Sequence, residues 1–153
     1  YRKWQNPYAS AAAGYVLVQA GRWPGQHVNW RQWILNLAQR YTSLPDGAVL
    51  FTTLLLQSQS DALQNLNYDG QSKNPFRSAI SAALEAVRRG PPLFRHGLKM
   101  MATNLAILEG EAKYWTEDTQ TYRELLSAIG YVRELSLRVD PNQPFCVFDV
   151  RTD

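Results

Sequence analysis

Leu44-Pro45-Asp46-Gly47-Ala48-Val49-Leu50-Phe51-Thr52-Thr53-Leu54-Leu55-Leu56-Gln57 opens with turn chemistry and then runs apolar on every side, with only Thr52 and Thr53 interrupting. A helix that is apolar around its whole circumference has no face to offer to water, so it belongs in the middle of a core with other helices about it. The stretch predicts a central helix from about Ala48 to Gln57, ending near Gln59 and capped by Ser43 or Asp46. The fold class that follows is all-α: a compact bundle of five or six helices around that buried helix.

Working outward toward the N-terminus, Trp30, Trp33, Ile34, Leu37, Ala38 and Tyr41 recur at helical spacing, with Arg31, Gln32, Asn36, Gln39 and Arg40 on the other side. Asn29 and Gln32 form a capping-box pattern at its start. Before it, Asn6-Pro7 starts a helix from Tyr8 to Ala20, Asn as N-cap and Pro in the first turn. Tyr8, Ala12, Tyr15, Val16 and Gln19 fall on one side of it. The small residues Ala11 to Gly14 would let a neighbour approach closely. Gly21 closes this helix, and Trp23-Pro24-Gly25 makes a turn.

Toward the C-terminus, 57–73 is polar and reads as a long loop of the kind that is either functional or mobile. Asn74-Pro75 then repeats the start signal, and Phe76, Ile80, Ala83, Leu84 and Val87 give an apolar face closed by Gly90. Glu85 precedes Arg88 and Arg89 by three and four residues, the order that favours an ion pair. After Pro91-Pro92 a stripe of Phe94, Leu98, Met101, Leu105 and Leu108 runs to an expected interruption at Gly110, with Tyr114-Trp115 in a connection. A last helix begins at Asp118 or Thr119 with Tyr122, Leu125, Leu126, Ile129 and Val132 inward. It either stops at Gly130 or continues to about Arg138, which the reading favours. After the turn at 140–144, Phe145 to Val150 is β-prone, and without a second convincing strand it is expected to lie as an extended C-terminal tail across the helices. No repeat of fixed period occurs, because the sequences after the two Asn-Pro starts do not match.

The chain has 153 residues, room for one domain that removes roughly two thirds of its unfolded surface from water. At 45% hydrophobic and 19% charged it is too apolar to be disordered. The formal charge of +3 comes from sixteen cations and thirteen anions that never form a block, a weaker signal than nucleic-acid binders usually show. One cysteine, Cys146, excludes an internal disulfide and a Cys-based zinc cluster, and fits a reducing compartment. Trp4 to Gly21 carries no charge, yet Gln5, Asn6, Pro7, Ser10 and Gln19 break it as a signal peptide or membrane span. A soluble, cytoplasmic protein is expected, with no membrane partner. Because the first residue is Tyr, residues 1–153 are read as a single accessory or interaction domain cut from a longer chain.

No catalytic set emerges. Cys146 with His27 or His96 is the only material for a Cys–His pair, but Cys146 sits between Phe145 and Val147 as a small buried hydrophobe would. Glu109, Glu111, Glu117 and Asp118 cluster near one connection without the spacing of a metal loop. They read first as a solvated acidic turn, and an unrecognised small enzyme using them is the third reading. No glycine-rich phosphate loop and no Gly-x-Ser-x-Gly occurs. No metal and no cofactor is expected, and the chain is read as not an enzyme.

What remains is a set of basic and aromatic residues. Arg22, Trp23, Trp30, Arg31, Trp33 and Arg40 interleave in a way that can stack bases or hold an anionic partner. The spacing of Trp30 and Trp33 equally makes them the inward face, with Arg31 and Arg40 solvated. Trp23 beside Arg22 is the aromatic expected to be partly exposed. Arg88 and Arg89, with Arg95 and Lys99, form a second basic spot across a helix junction. The candidate partner-binding residues are therefore Arg22, Trp23, Arg31, Arg40, Arg88 and Arg89.

Three segments, Asn6-Pro7-Tyr8-Ala9, Leu44-Pro45-Asp46-Gly47-Ala48-Val49 and Arg138-Val139-Asp140-Pro141-Asn142-Gln143-Pro144-Phe145, together resemble an all-helical C-terminal region of bacterial multidomain proteins. Some of those proteins carry a caspase-like protease domain. The resemblance spans the chain end to end, and the caspase-like His and Cys motifs are absent. It implies an accessory module that senses, docks or recruits, and it transfers no site residues. The expected function is a non-enzymatic protein-interaction or regulatory module, its partner a protein, a neighbouring domain of the parent chain or a second copy. A nucleic-acid-binding domain using the Arg/Trp surface is the alternative.

Overall fold

The computed structural model describes residues 6–20, 30–57, 75–115 and 119–148. Among these residues six helices follow one another: α1 (Pro7–Ala20), α2 (Trp30–Arg40), α3 (Pro45–Gln57), α4 (Pro75–Arg88), α5 (Arg95–Trp115) and α6 (Thr119–Arg138). Among the described residues there is no strand, only two isolated bridges, Phe94 with Phe145 and Val139 with Phe148. The all-α expectation holds.

Every residue of α3 from Pro45 to Leu55 is buried. Helices α1, α2, α4 and α5 all pack on α3, most extensively α4, while α6 packs on α4 and α5. Leu50, Phe51 and Leu54 are wholly buried, each removing apolar surface worth about 1.5–3 kcal/mol. The two threonines fit this dry setting by bonding back along their own helix: Thr52 Oγ1 donates to Ala48 O (2.9 Å) and Thr53 Oγ1 to Val49 O (3.0 Å). Asn104 of α5 completes the polar set, its Nδ2 donating to Thr53 Oγ1 (2.8 Å) and Val49 O (3.2 Å). A buried amide satisfied across two helices fixes how they are set against each other.

Local signals place the start of α1 and the end of α4. Asn6 Oδ1 accepts from the Ala9 N–H (3.0 Å), the expected N-cap before Pro7. Gly90, at φ 100°, follows α4. Glu85 pairs with both Arg88 and Arg89 as its position promised. The inward side of α1 is Ser10, Ala11, Gly14, Tyr15 and Val18, and Tyr8 and Val16 are exposed. Two expectations need correction. Helix α5 runs through Gly110 to Trp115, so Tyr114 and Trp115 belong to the helix. In α6, Leu126 faces solvent and Ala128 takes the buried place between Leu125 and Val132. The α6 helix does continue past Gly130 to Arg138.

The tail is extended, as expected, and it acts as a strap. Arg95 N–H donates to Pro144 O (3.0 Å) and Cys146 N–H to Leu93 O (2.9 Å), while Asp140 N–H donates to Val147 O (3.0 Å). These bonds tie the α4–α5 junction to the end of α6. No helix of the described residues is long and apolar enough to cross a membrane.

Candidate functional site

The junction between α4 and α5 is held from beneath by a carboxylate. Asp46 is the second residue of α3, where a negative charge meets the positive end of the helix dipole. It does not cap the helix. Its Oδ1 accepts from the Tyr15 hydroxyl of α1 (2.7 Å) and its Oδ2 from the Leu93 N–H (2.9 Å). Both oxygens are thus engaged, and Asp46 is wholly buried. Burial pushes its carboxyl above the usual range, against the opposing pull of the Leu93 and Phe94 N–H groups and the Tyr15 hydroxyl. Burial, and then the neighbouring Asp46, push the Tyr15 hydroxyl well above its usual value, so it remains a donor.

Gly97 makes room for this pair: a Cβ there would lie 2.3 Å from the Tyr15 hydroxyl and 2.9 Å from Pro92 Cβ. The Tyr15 ring stands edge-on to Phe94 (centroids 5.8 Å apart) and His96 (5.6 Å). The first turn of α5 is therefore fixed on its inner side by Tyr15 and Asp46, and on its outer side by the tail strap.

That turn forms one wall of a cleft of about 480 Å³ opening between α5, the end of α6 and the start of the tail. Arg95, His96 and Lys99 line it with basic groups, and Leu98, Ala102 and Val139 with apolar ones. Ser136 and Pro141 complete the rim, and among the described residues no carboxylate lines it. Arg95 donates through Nη1 to Pro141 O across the mouth. A guanidinium has five N–H donors, so this bond leaves others for a ligand. The Lys99 ammonium makes no ion pair among the described residues, and Lys99 is exposed. Asp140 stands beside Pro141 on the turn, one oxygen accepting the Asn142 N–H (2.8 Å). Among the described residues no group of three or more His, Cys, Asp or Glu side chains is placed to hold a metal ion.

The residues picked from sequence are scattered. Arg22, Trp23 and the 58–73 loop lie outside the described residues, as do His27, Glu117 and Asp118. Arg31 is half-buried with its guanidinium 5.6 Å from the ring of Trp30, which is itself buried. Arg40 is exposed at the end of α2. Arg88 is exposed and pairs with Glu85 (3.7 Å) and Glu124 of α6 (3.2 Å). Arg89 turns inward: its Nε meets Glu85 (3.0 Å) and its Nη1 donates to Ala38 O near the end of α2 (2.7 Å). A second cleft, between α4 and the start of α6, runs beside Arg88, Arg89, Glu85 and Glu124. The structure brings Arg95 and Lys99 together with His96, apart from Arg88 and Arg89. The sequence offered Asp46 as a cap and His96 for a Cys–His pair, and it did not bring Tyr15, Asp46 and His96 to one junction; the available signal was an aspartate inside an otherwise apolar helix.

The profile of the Y4kD C-terminal domain family matches residues 1–149. The chain belongs to this family. It covers nearly the whole chain, including α1 to α6 and the strap, and its description marks an accessory domain of a larger protein. No curated protein matches, and no solved structure matches.

Proposed function

We propose that this Y4kD C-terminal domain is a non-enzymatic interaction or regulatory module of a larger bacterial, cytoplasmic protein. It binds a protein partner, a neighbouring domain of its parent or a second copy. Membership in a family of C-terminal domains supports the accessory role. The resemblance to helical regions beside caspase-like proteases supplies the kind of parent. The observation that carries the reading is the contrast between the two clusters built at the α4–α5 junction. The Tyr15–Asp46 pair is closed off from solvent and satisfied by its own fold. The accessible cleft presents cations and apolar side chains, groups that bind and orient.

The test is purification of the tagged parent protein from its source cell after chemical cross-linking, with mass spectrometry and nucleic-acid staining. A defined protein, or a neighbouring domain, cross-linked to this domain is the expected result. Nuclease-sensitive nucleic acid with no protein, and retention that falls steeply with salt, would favour the Arg/Trp reading instead.

A further inference from the structure

We propose that the cleft between the first turns of α5 and the end of α6 takes an acidic peptide segment with interleaved apolar residues. It rests on the interaction-module reading and names the site and the chemistry. Charge complementarity selects the occupant: three basic side chains, Arg95, His96 and Lys99, line the cleft. Arg95 spends one donor on the Pro141 carbonyl, and among the described residues no carboxylate pairs with any of the three. The acidic residues paired elsewhere, Glu85, Glu124 and Glu134, meet Arg88, Arg89 and Arg138. Cations on cleft walls bordered by protein attract an anionic partner more strongly than isolated surface cations do.

The remaining surface argues for a peptide over a small anion. Leu98, Ala102 and Val139 give the cleft apolar walls that a phosphate ion would leave unused. An extended peptide with carboxylates and aliphatic side chains would use both kinds of surface: carboxylates on Arg95 and Lys99, aliphatics on the apolar cleft walls. The position is rigid, because Arg95 is tied to the tail through its backbone N–H and its guanidinium. Little ordering of the protein is then needed on binding.

The test uses an acetylated, amidated hexapeptide of alternating Asp and Leu, with its Asn–Leu counterpart and inorganic phosphate as controls, titrated into the whole chain and followed by amide NMR shifts. Shifts centred on Lys99, Ala102, Ser136 and Val139 with the Asp–Leu peptide, and much smaller ones with Asn–Leu, are expected. Lys99→Glu, at an exposed site where the thermal melt should stay unchanged, is expected to weaken binding about tenfold or more, while Lys99→Arg keeps it. Equal binding by Lys99→Glu, equal binding of the Asn–Leu peptide, the same shifts from phosphate alone, or no shift at millimolar peptide would overturn the proposal. Placed in the parent protein, Lys99→Glu separates the two readings. A cross-linked partner that survives it leaves the module standing and removes this cleft, whereas no partner for the unaltered domain removes the module.

Discussion

Arg88 and Arg89 are adjacent in sequence and do opposite work. Arg89 is 6% exposed at its side chain and bonds a carbonyl near the C-terminal end of α2, where a cation meets the negative end of the dipole. Arg88 is 62% exposed, and exposed pairs are worth about 0–1 kcal/mol. Arg89→Ala is expected to cost about 2–3 kcal/mol in urea unfolding, because it takes the donor from the Ala38 carbonyl and leaves Glu85 only the exposed Arg88, and Arg88→Ala under about 1 kcal/mol. Equal costs would refute this division. At Asp46 the consequence is a pH dependence. An unfolded aspartate titrates near about pH 3.9, and the folded value lies above it. Between the two the folded state holds the extra proton, so this group's contribution is full below about pH 3.9 and is lost as pH rises through the folded value. Asp46→Asn holds no such proton. Wild-type stability minus variant stability should therefore fall as pH rises from about 4, and a difference that stays flat or rises would show that burial does not dominate at Asp46.

At the scale of the element, α3 differs from its neighbours because no side of it is available to water. Phe51→Ala opens a void among rigid neighbours and is expected to cost about 3–5 kcal/mol, a large part of the stability of a domain this size. Leu137→Ala on the solvent side of α6 should stay within about 0.5 kcal/mol. Comparable losses at the two sites in chemical denaturation would contradict α3 as the centre of the core. Helix α1 shows the converse. Apolar and small residues surround it, so periodicity could not fix which side turned in: Tyr15 faces in, while Tyr8 and Val16 of the same side face out. Close approach decided it: Ala11 and Gly14 are buried where α1 meets α3, Gly14 against Leu50.

For the whole molecule, the strap ties the α4–α5 junction to the end of α6, and it is expected to unfold with the helices. Cys146 reports on it. Burial, with Asp46 adding to it, pushes the thiol up to about 11, while Arg95 pulls the other way. An unfolded cysteine titrates near about 8.5, so this contribution to stability is present below that value and lost as pH rises through about 11. Alkylation at pH 8 should be much slower in the folded chain than in urea, and thiol exposure should share its urea midpoint with the loss of helical circular dichroism. A strap that releases at lower urea than the helices would separate the midpoints and show a local opening.

The sequence by itself determined the fold class, the central helix, the caps at Asn6 and Gly90, the Glu85–Arg88–Arg89 pairing and the extended tail. Each is encoded within a few residues, by periodicity, by a cap or by a spacing of three and four. Gly110 misled because one glycine costs a helix only about 1 kcal/mol, less than the packing of Leu105, Leu108 and Ala112 on either side returns. Only the tertiary structure decided that Asp46 meets Tyr15, thirty-one residues away, and Leu93, forty-seven away, and that Arg95, His96 and Lys99 share a wall with Ser136 and Val139. Hydrogen bonds and clefts between distant segments depend on how helices are set against one another, and that setting follows from the whole core and from no local pattern within it.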